Sequence, residues 1–92
     1  KFLDYDRIQD SLILRTPEPG DRMVIRSDGA VKKLNRILSD RKIERTERNK
    51  VPVIACGSEI VWAVGIRIGE NYKVTDNTSR IICLEYKEEK NR

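Results

Sequence analysis

Histidine is absent from these 92 residues, which excludes imidazole acid–base chemistry and His-ligated metals. Cysteine is scarce: Cys56 and Cys83 stand 27 positions apart with no Cys-x-x-Cys motif. Two thiols are too few for a disulfide scaffold or a zinc cluster, and they read as reduced and buried. Five aromatic side chains are too few for a base-stacking platform. Trp62 sits among apolar neighbours and reads as core. No apolar run approaches the roughly 20 residues of a membrane helix, and no signal peptide opens the chain. Lys1 stands where an initiator methionine would, so the chain reads as cut from a longer protein.

Nucleotide motifs are missing as well. There is no Gly-x-Gly-x-x-Gly, no P-loop and no Ser-Gly-Gly-x-Asp-Ser pyrophosphatase loop. The carboxylates are scattered. Asp4/Asp6 and Glu88/Glu89 sit near the chain ends, a poor place for preorganised catalysis. Asp21 and Asp28 make a weak internal pair, and Cys56 has no histidine to activate it. No residue is assigned a catalytic or metal-binding role.

What the chain has is charge, unevenly placed. Val31–Lys50 holds eight basic residues against three acids, Asp40, Glu44 and Glu47. The other 72 residues carry 11 basic and 12 acidic groups, so the whole net charge of +4 lies in one stretch. A local cationic cluster points to a polyanionic partner. Scarce rings favour backbone and shape readout of a duplex over single-strand stacking.

The periodicity predicts an α+β fold of one domain, residues 1–92, with its core at about 4–86 and a charged tail at 87–92. The sheet has about six short strands. Ser11–Arg15 and Arg22–Arg26 flank a turn at Thr16–Asp21, where two prolines forbid ladder bonds. Val53–Cys56 and Glu59–Val64 form a hairpin over Gly57-Ser58, with burial on both faces. Gly65–Gly69 continues it with room for a bend, and Tyr72–Thr78 is a polar connector. Ser79–Tyr86 is the last strand and Phe2–Tyr5 an edge strand.

Val31–Lys42 reads as the main helix. Val31, Leu34, Ile37 and Leu38 recur at helical spacing, Asp28 serves as N-cap, and Lys32, Lys33 and Arg36 project opposite the core. Arg41 falls on the apolar side, where its stem packs and its head snorkels unless the helix has loosened by then. Glu44–Lys50 is a short charged helix ending before Val51-Pro52.

These pieces, in this order, resemble a known family. Leu12-Ile13-Leu14-Arg15-Thr16 and Pro19-Gly20-Asp21-Arg22 come first, followed by Lys32-Lys33-Leu34, Leu38 and Asp40-Arg41-Lys42-Ile43. Arg48, Val51-Pro52-Val53, Ile60-Val61-Trp62, Gly65-Ile66-Arg67 and Tyr72-Lys73-Val74 complete the series. The chain resembles, over about Asp4 to Tyr86, the C-terminal substrate-recognition domain of bacterial tRNA(Ile)-lysidine synthases. Two positions depart from the family pattern: Glu44 stands where proline is usual, and Asn35 where a further lysine is frequent.

The resemblance implies a β-sandwich-like sheet of unusual topology, similar to a domain of the phenylalanyl-tRNA synthetase β subunit. It implies a cytoplasmic enzyme that adenylates cytidine 34 of a CAU-anticodon isoleucine tRNA and then attaches lysine. ATP with magnesium and the catalytic residues belong to an N-terminal domain outside this chain. This domain is implied to hold the tRNA acceptor stem, with the rest of its own polypeptide as a further partner and no membrane.

The residues expected to face RNA are Lys32, Lys33 and Arg36, extended by Arg41, Lys42 and Arg45, with Arg67 and Lys73 beside them. Arg41, Lys42 and Arg45 have a plainer reading as partners of Glu44 and Glu47. Asp21 is expected to cap its turn and pair with Arg22. Two other functions stay open: a protein–protein or homodimerisation module docking through the basic strip or the strand edges, and a free-standing enzyme.

Overall fold

The apolar runs become short strands, and the glycines between them become turns. The computed structural model describes residues 1–88. The strands are β1 (Phe2–Asp4), β2 (Ile13–Arg15), β3 (Arg22–Val24), β4 (Val31–Lys33), β5 (Val53–Cys56), β6 (Glu59–Ala63), β7 (Arg67–Ile68) and β8 (Ile81–Cys83). The helices are α1 (Leu34–Asp40) and α2 (Arg45–Arg48), with single 3-10 turns at Tyr5–Arg7 and Glu70–Tyr72. The expected α+β class holds. The tail that begins at Lys87 passes beyond residue 88, and from there it lies outside the described residues.

Six strands form one sheet in the order β2-β5-β6-β3-β4, with β7 folding back onto β6. All pairs are antiparallel except β3 with β6, which meet in parallel at Arg22 and Glu59. The β5–β6 hairpin turns on Gly57-Ser58, with Gly57 at φ +64°. Its register shifts once: Ile54 opposes Trp62 and Ala55 opposes Ile60, leaving Val61 unopposed. That bulge sends Ile60 and Ala63 into one core and Val61 into another. Trp62 is buried within β6, as its apolar neighbours indicate. Phe2–Tyr5 and the last strand, expected as parts of one sheet, instead pair with each other as a second, two-stranded sheet of β1 with β8.

The layers follow from these faces. Leu34, Ile37 and Leu38 of α1 pack with Met23, Val53, Ala55, Ile60 and Ala63 on one face of the large sheet. Leu3, Val61 and Tyr72 pack with Ile68 and Ile82 on the other, so the small sheet stacks across it as in a sandwich.

Four further expectations are corrected. Val31–Lys33 is strand, not helix. Val31 is 54% exposed and adds nothing to the α1 stripe, while β3 offers a free edge across the six-residue connection 25–30. Long-range pairing overrides local spacing there. Asp28 therefore caps a hairpin turn rather than a helix: its Oδ1 accepts the Ala30 N–H at 3.0 Å. Asp21 pairs with Arg15, not Arg22, because neighbours on a strand point to opposite faces. Cys56 is half-buried and Cys83 exposed, both unpaired as thiols, so the second is no core residue.

Asp4 and Asp6 are tied in rather than frayed. Asp4 is buried and accepts from the Thr78 hydroxyl at 3.0 Å, and Asp6 accepts from Arg80 Nε at 2.9 Å. The Arg80 guanidinium lies 5.0 Å from the Tyr5 ring centroid and helps hold β1 to β8.

Candidate nucleic-acid interface

The expected cations fall into three groups. Lys32, Lys33 and Arg36 line one shallow hollow with Asn35 and Ser39. Lys42 and Arg45 line another with Ile43, Glu44 and Arg48. Arg67 and Lys73 lie apart, on either side of Glu70. Arg41 caps α1, with its Nη2 donating to the Ile66 carbonyl at 3.3 Å.

Strand geometry separates Lys32 from Lys33. Lys32 opposes buried Met23, so it leaves the core side of the sheet, and its Nζ donates to Asp40 at the far end of α1. Lys33 opposes Arg22, and both are exposed on the outer face. Arg22, read from sequence as structural, thus stands beside Lys33. The β-alternation of Arg22–Arg26 carried that signal.

Carboxylates neutralise several of these charges. Asp40 accepts from Lys32 and lies 3.8 Å from Arg36 Nε. The Lys32 hydrogen bond, against the pull of desolvation and with the charges of Lys32 and Arg36, holds its carboxyl below the usual range. Glu70 is held low in the same way, chiefly by Lys73 at 2.8 Å. Arg67 reaches Glu70 at 3.2 Å and donates to the Ile68 and Ile25 carbonyls. In the cleft between the β3–β4 turn and Glu70–Thr75, Arg7, Arg26 and Lys73 each face a carboxylate of their own: Asp4, Asp28 and Glu70.

The α1–α2 junction is different. Among the described residues, Arg41, Lys42, Arg45 and Arg48 enter no ion pair; Glu47 pairs instead with Lys50 at 3.5 Å. The plainer reading of these cations as partners of Glu44 and Glu47 is therefore not what forms. Arg48, left out of the expected contact set, belongs with them. Its sequence signal was only its place in a charged run.

The glycines at positive φ, Gly20, Gly29, Gly57 and Gly65, all turn between strands, and none leads into a helix. Among the described residues no helix is long and apolar enough to cross a membrane.

The family model described as the TilS substrate C-terminal domain matches residues 12–84. The chain belongs to that family. The TilS C-terminal match extends to full-length relatives named tRNA(Ile)-lysidine synthase. That of Caldanaerobacter subterraneus subsp. tengcongensis is 43% identical over 89 residues, 97% of this chain and 19% of that protein. That of Dehalococcoides mccartyi is 38% identical over 86 residues, 94% of this chain and 18% of its own. That of Clostridium tetani is 37% identical over 90 residues, 98% and 19% respectively. The chain thus spans about a fifth of the length of these relatives. A crystal structure of a TilS C-terminal domain superposes with a TM-score of 0.71 at 28% identity, covering 87% of this chain and 62% of that one.

Proposed function

We propose that this domain holds the acceptor stem of a tRNA for a tRNA(Ile)-lysidine synthase, one domain of a longer polypeptide. On this reading, ATP-dependent attachment of lysine to cytidine 34 takes place on an N-terminal domain, which also supplies the ATP and magnesium site, in the cytoplasm. The observation that carries the reading is the run of cations at the α1–α2 junction, which enter no ion pair among the described residues, with Lys33 and Arg22 exposed together on the sheet as a second cationic site. A-form RNA hides its base edges in a deep groove and presents phosphates and 2′-hydroxyls, which such cations suit.

Lys33, Arg41, Lys42 and Arg45 lead the contact surface. Lys32, Arg36, Arg67 and Lys73 add to the field while tied to Asp40 and Glu70. Reversing the charges of Arg41, Lys42 and Arg45 in the full-length enzyme should weaken tRNA binding in a filter titration and leave the ATP dependence as it was. Unchanged affinity both in that variant and in one with Arg22 and Lys33 reversed rejects the reading.

A homodimer is the second reading. Edge strand β2 favours it, with Ile13 54% and Leu14 57% exposed beside an unpaired strand edge. Light scattering with and without tRNA separates the two. A mass that doubles without RNA supports the dimer, and one that rises by a single tRNA supports the first reading.

A further inference from the structure

We propose that the turn between α1 and α2 is a seat for one backbone phosphate of the bound RNA, with Lys42, Arg45 and Arg48 as its ligands. The proposal rests on the tRNA-binding reading and narrows it to one notch. Because every nucleotide carries the same phosphate, the notch supplies affinity and register, not the choice between tRNAs.

Charge carries the first part. The three cations line one hollow with Glu44 as its single acid. The nearest other acids along the chain are already engaged, Asp40 by Lys32 and Arg36 and Glu47 by Lys50. Arg45 and Arg48 lie three apart on α2, and so on one face.

Preorganisation carries the second. Arg48 is half-buried, and its Nε donates to the Ile43 carbonyl at 2.9 Å. That bond fixes the plane of the guanidinium. Among the described residues its two terminal amino groups donate to no protein acceptor. A fork already oriented loses little side-chain freedom when an oxyanion arrives.

Lys42 carries the third. Its φ of +58° is the one positive value at a non-glycine position among the described residues. It follows the C-cap of α1, where the Ile43 N–H returns to the Leu38 carbonyl at 3.0 Å and the Lys42 N–H to Ser39 at 2.9 Å. Glycine is the ordinary occupant of that position, since a Cβ is strained there. The lysine side chain is exposed and makes no hydrogen bond or ion pair among the described residues. The two backbone bonds hold the turn but leave the ammonium without a partner among the described residues, available to an anion outside the fold.

The test uses the full-length enzyme with isoleucine and methionine tRNAs. Lys42→Gly removes the cation and relieves the turn, so it should melt no lower than the parent, and a loss of affinity is then not a loss of fold. Its binding should weaken several-fold, by the same factor for both tRNAs. The slope of log affinity against log salt should fall by about 0.7–0.9, the counterion release of one phosphate contact. Arg48→Lys should weaken binding too, although the net charge is kept, because the fork is lost. Unchanged affinity and slope in both variants overturn the notch, and so does a loss confined to one tRNA. Arg22→Glu with Lys33→Glu, on the sheet face, separates the two levels. If that pair weakens binding while the notch variants do not, the notch fails and the wider reading stands. If neither does, both fall.

Discussion

Arg15 and Asp21 clasp the Thr16–Gly20 turn in a bidentate pair, Nη1 to Oδ2 and Nη2 to Oδ1, each at 2.8 Å. Asp21 is 5% exposed and also accepts the Glu18 N–H at 2.8 Å. Arg15 Nη2 continues to the Gly57 carbonyl at 3.2 Å, so one guanidinium joins the β2–β3 turn to the β5–β6 hairpin. Burial pulls the Asp21 carboxyl upward. The Arg15 hydrogen bond, the Glu18 N–H and the Arg15 charge together outweigh it, and the group sits below its ordinary value. A lowered carboxyl stabilises the fold above the unfolded value of about 3.9, and that contribution is lost as pH falls further. Asp21→Asn should therefore cost about 1.5–3 kcal/mol at neutral pH, by taking from Arg15 its bidentate partner and leaving it only the exposed Glu18 carboxylate at 3.6 Å. The deficit should shrink at pH 3. Urea melts at both pH values check this, and an equal deficit at both rejects it.

Gly69 is a glycine of space rather than of backbone angle. Its φ is −63°, open to any residue. A Cβ there would meet Tyr72 Cδ2 at 3.1 Å and the Ile60 carbonyl at 3.2 Å. Tyr72 cannot yield easily: it is buried, and its hydroxyl donates to Glu59 Oε1 at 2.7 Å. Gly69→Ala should destabilise by about 1–3 kcal/mol through overpacking. Combining it with Tyr72→Phe, which frees the ring from Glu59, should cost less than the sum of the two. Additive losses in denaturant melts go against this account.

The β5–β6 hairpin was legible because two apolar runs flank a Gly-Ser pair, a local signal. The two terminal strands were legible as apolar segments, but not their pairing into a sheet of their own, which joins residues about 80 positions apart. Val31–Lys33 was not, because its helical spacing is real and only the free edge of β3, a partner far from local periodicity, turns it into strand. The partner of Asp21 was within reach, since strand alternation already sends Arg22 outward while Asp21 faces in. The cationic character of residues 31–50 was plain from composition. Which of those charges meet a carboxylate was not. Lys32 finds Asp40 only because β4 runs into α1 with its core-side face toward the helix, and Arg48 is distinguished only by its bond to Ile43.

Glu44 offers a direct test of the α1–α2 junction. Its φ of −57° lies within the range proline adopts, and its N–H donates no hydrogen bond among the described residues. Glu44→Pro should stabilise the domain by about 0.4–1 kcal/mol through the unfolded chain. It should also tighten tRNA binding, since it removes the one acid lining the hollow of Lys42, Arg45 and Arg48. Thermal melts and filter binding read the two effects separately. A lower melting temperature shows that Ile43 cannot take the extended backbone a following proline requires.

Lys32 and Lys33 are neighbours in sequence with opposite surroundings, which predicts opposite results. Lys33 stands beside Arg22 on the outer face with no carboxylate partner among the described residues. Lys33→Met should weaken tRNA binding and lower the salt slope by about 0.7–0.9. Lys32 donates to Asp40, so removing both charges together, Lys32→Met with Asp40→Asn, keeps the net charge of this patch unchanged. That double variant should bind tRNA as the parent does, with the same slope. A loss as large as that of Lys33→Met means instead that the Lys32–Asp40 pair opens on binding and Lys32 reaches a phosphate.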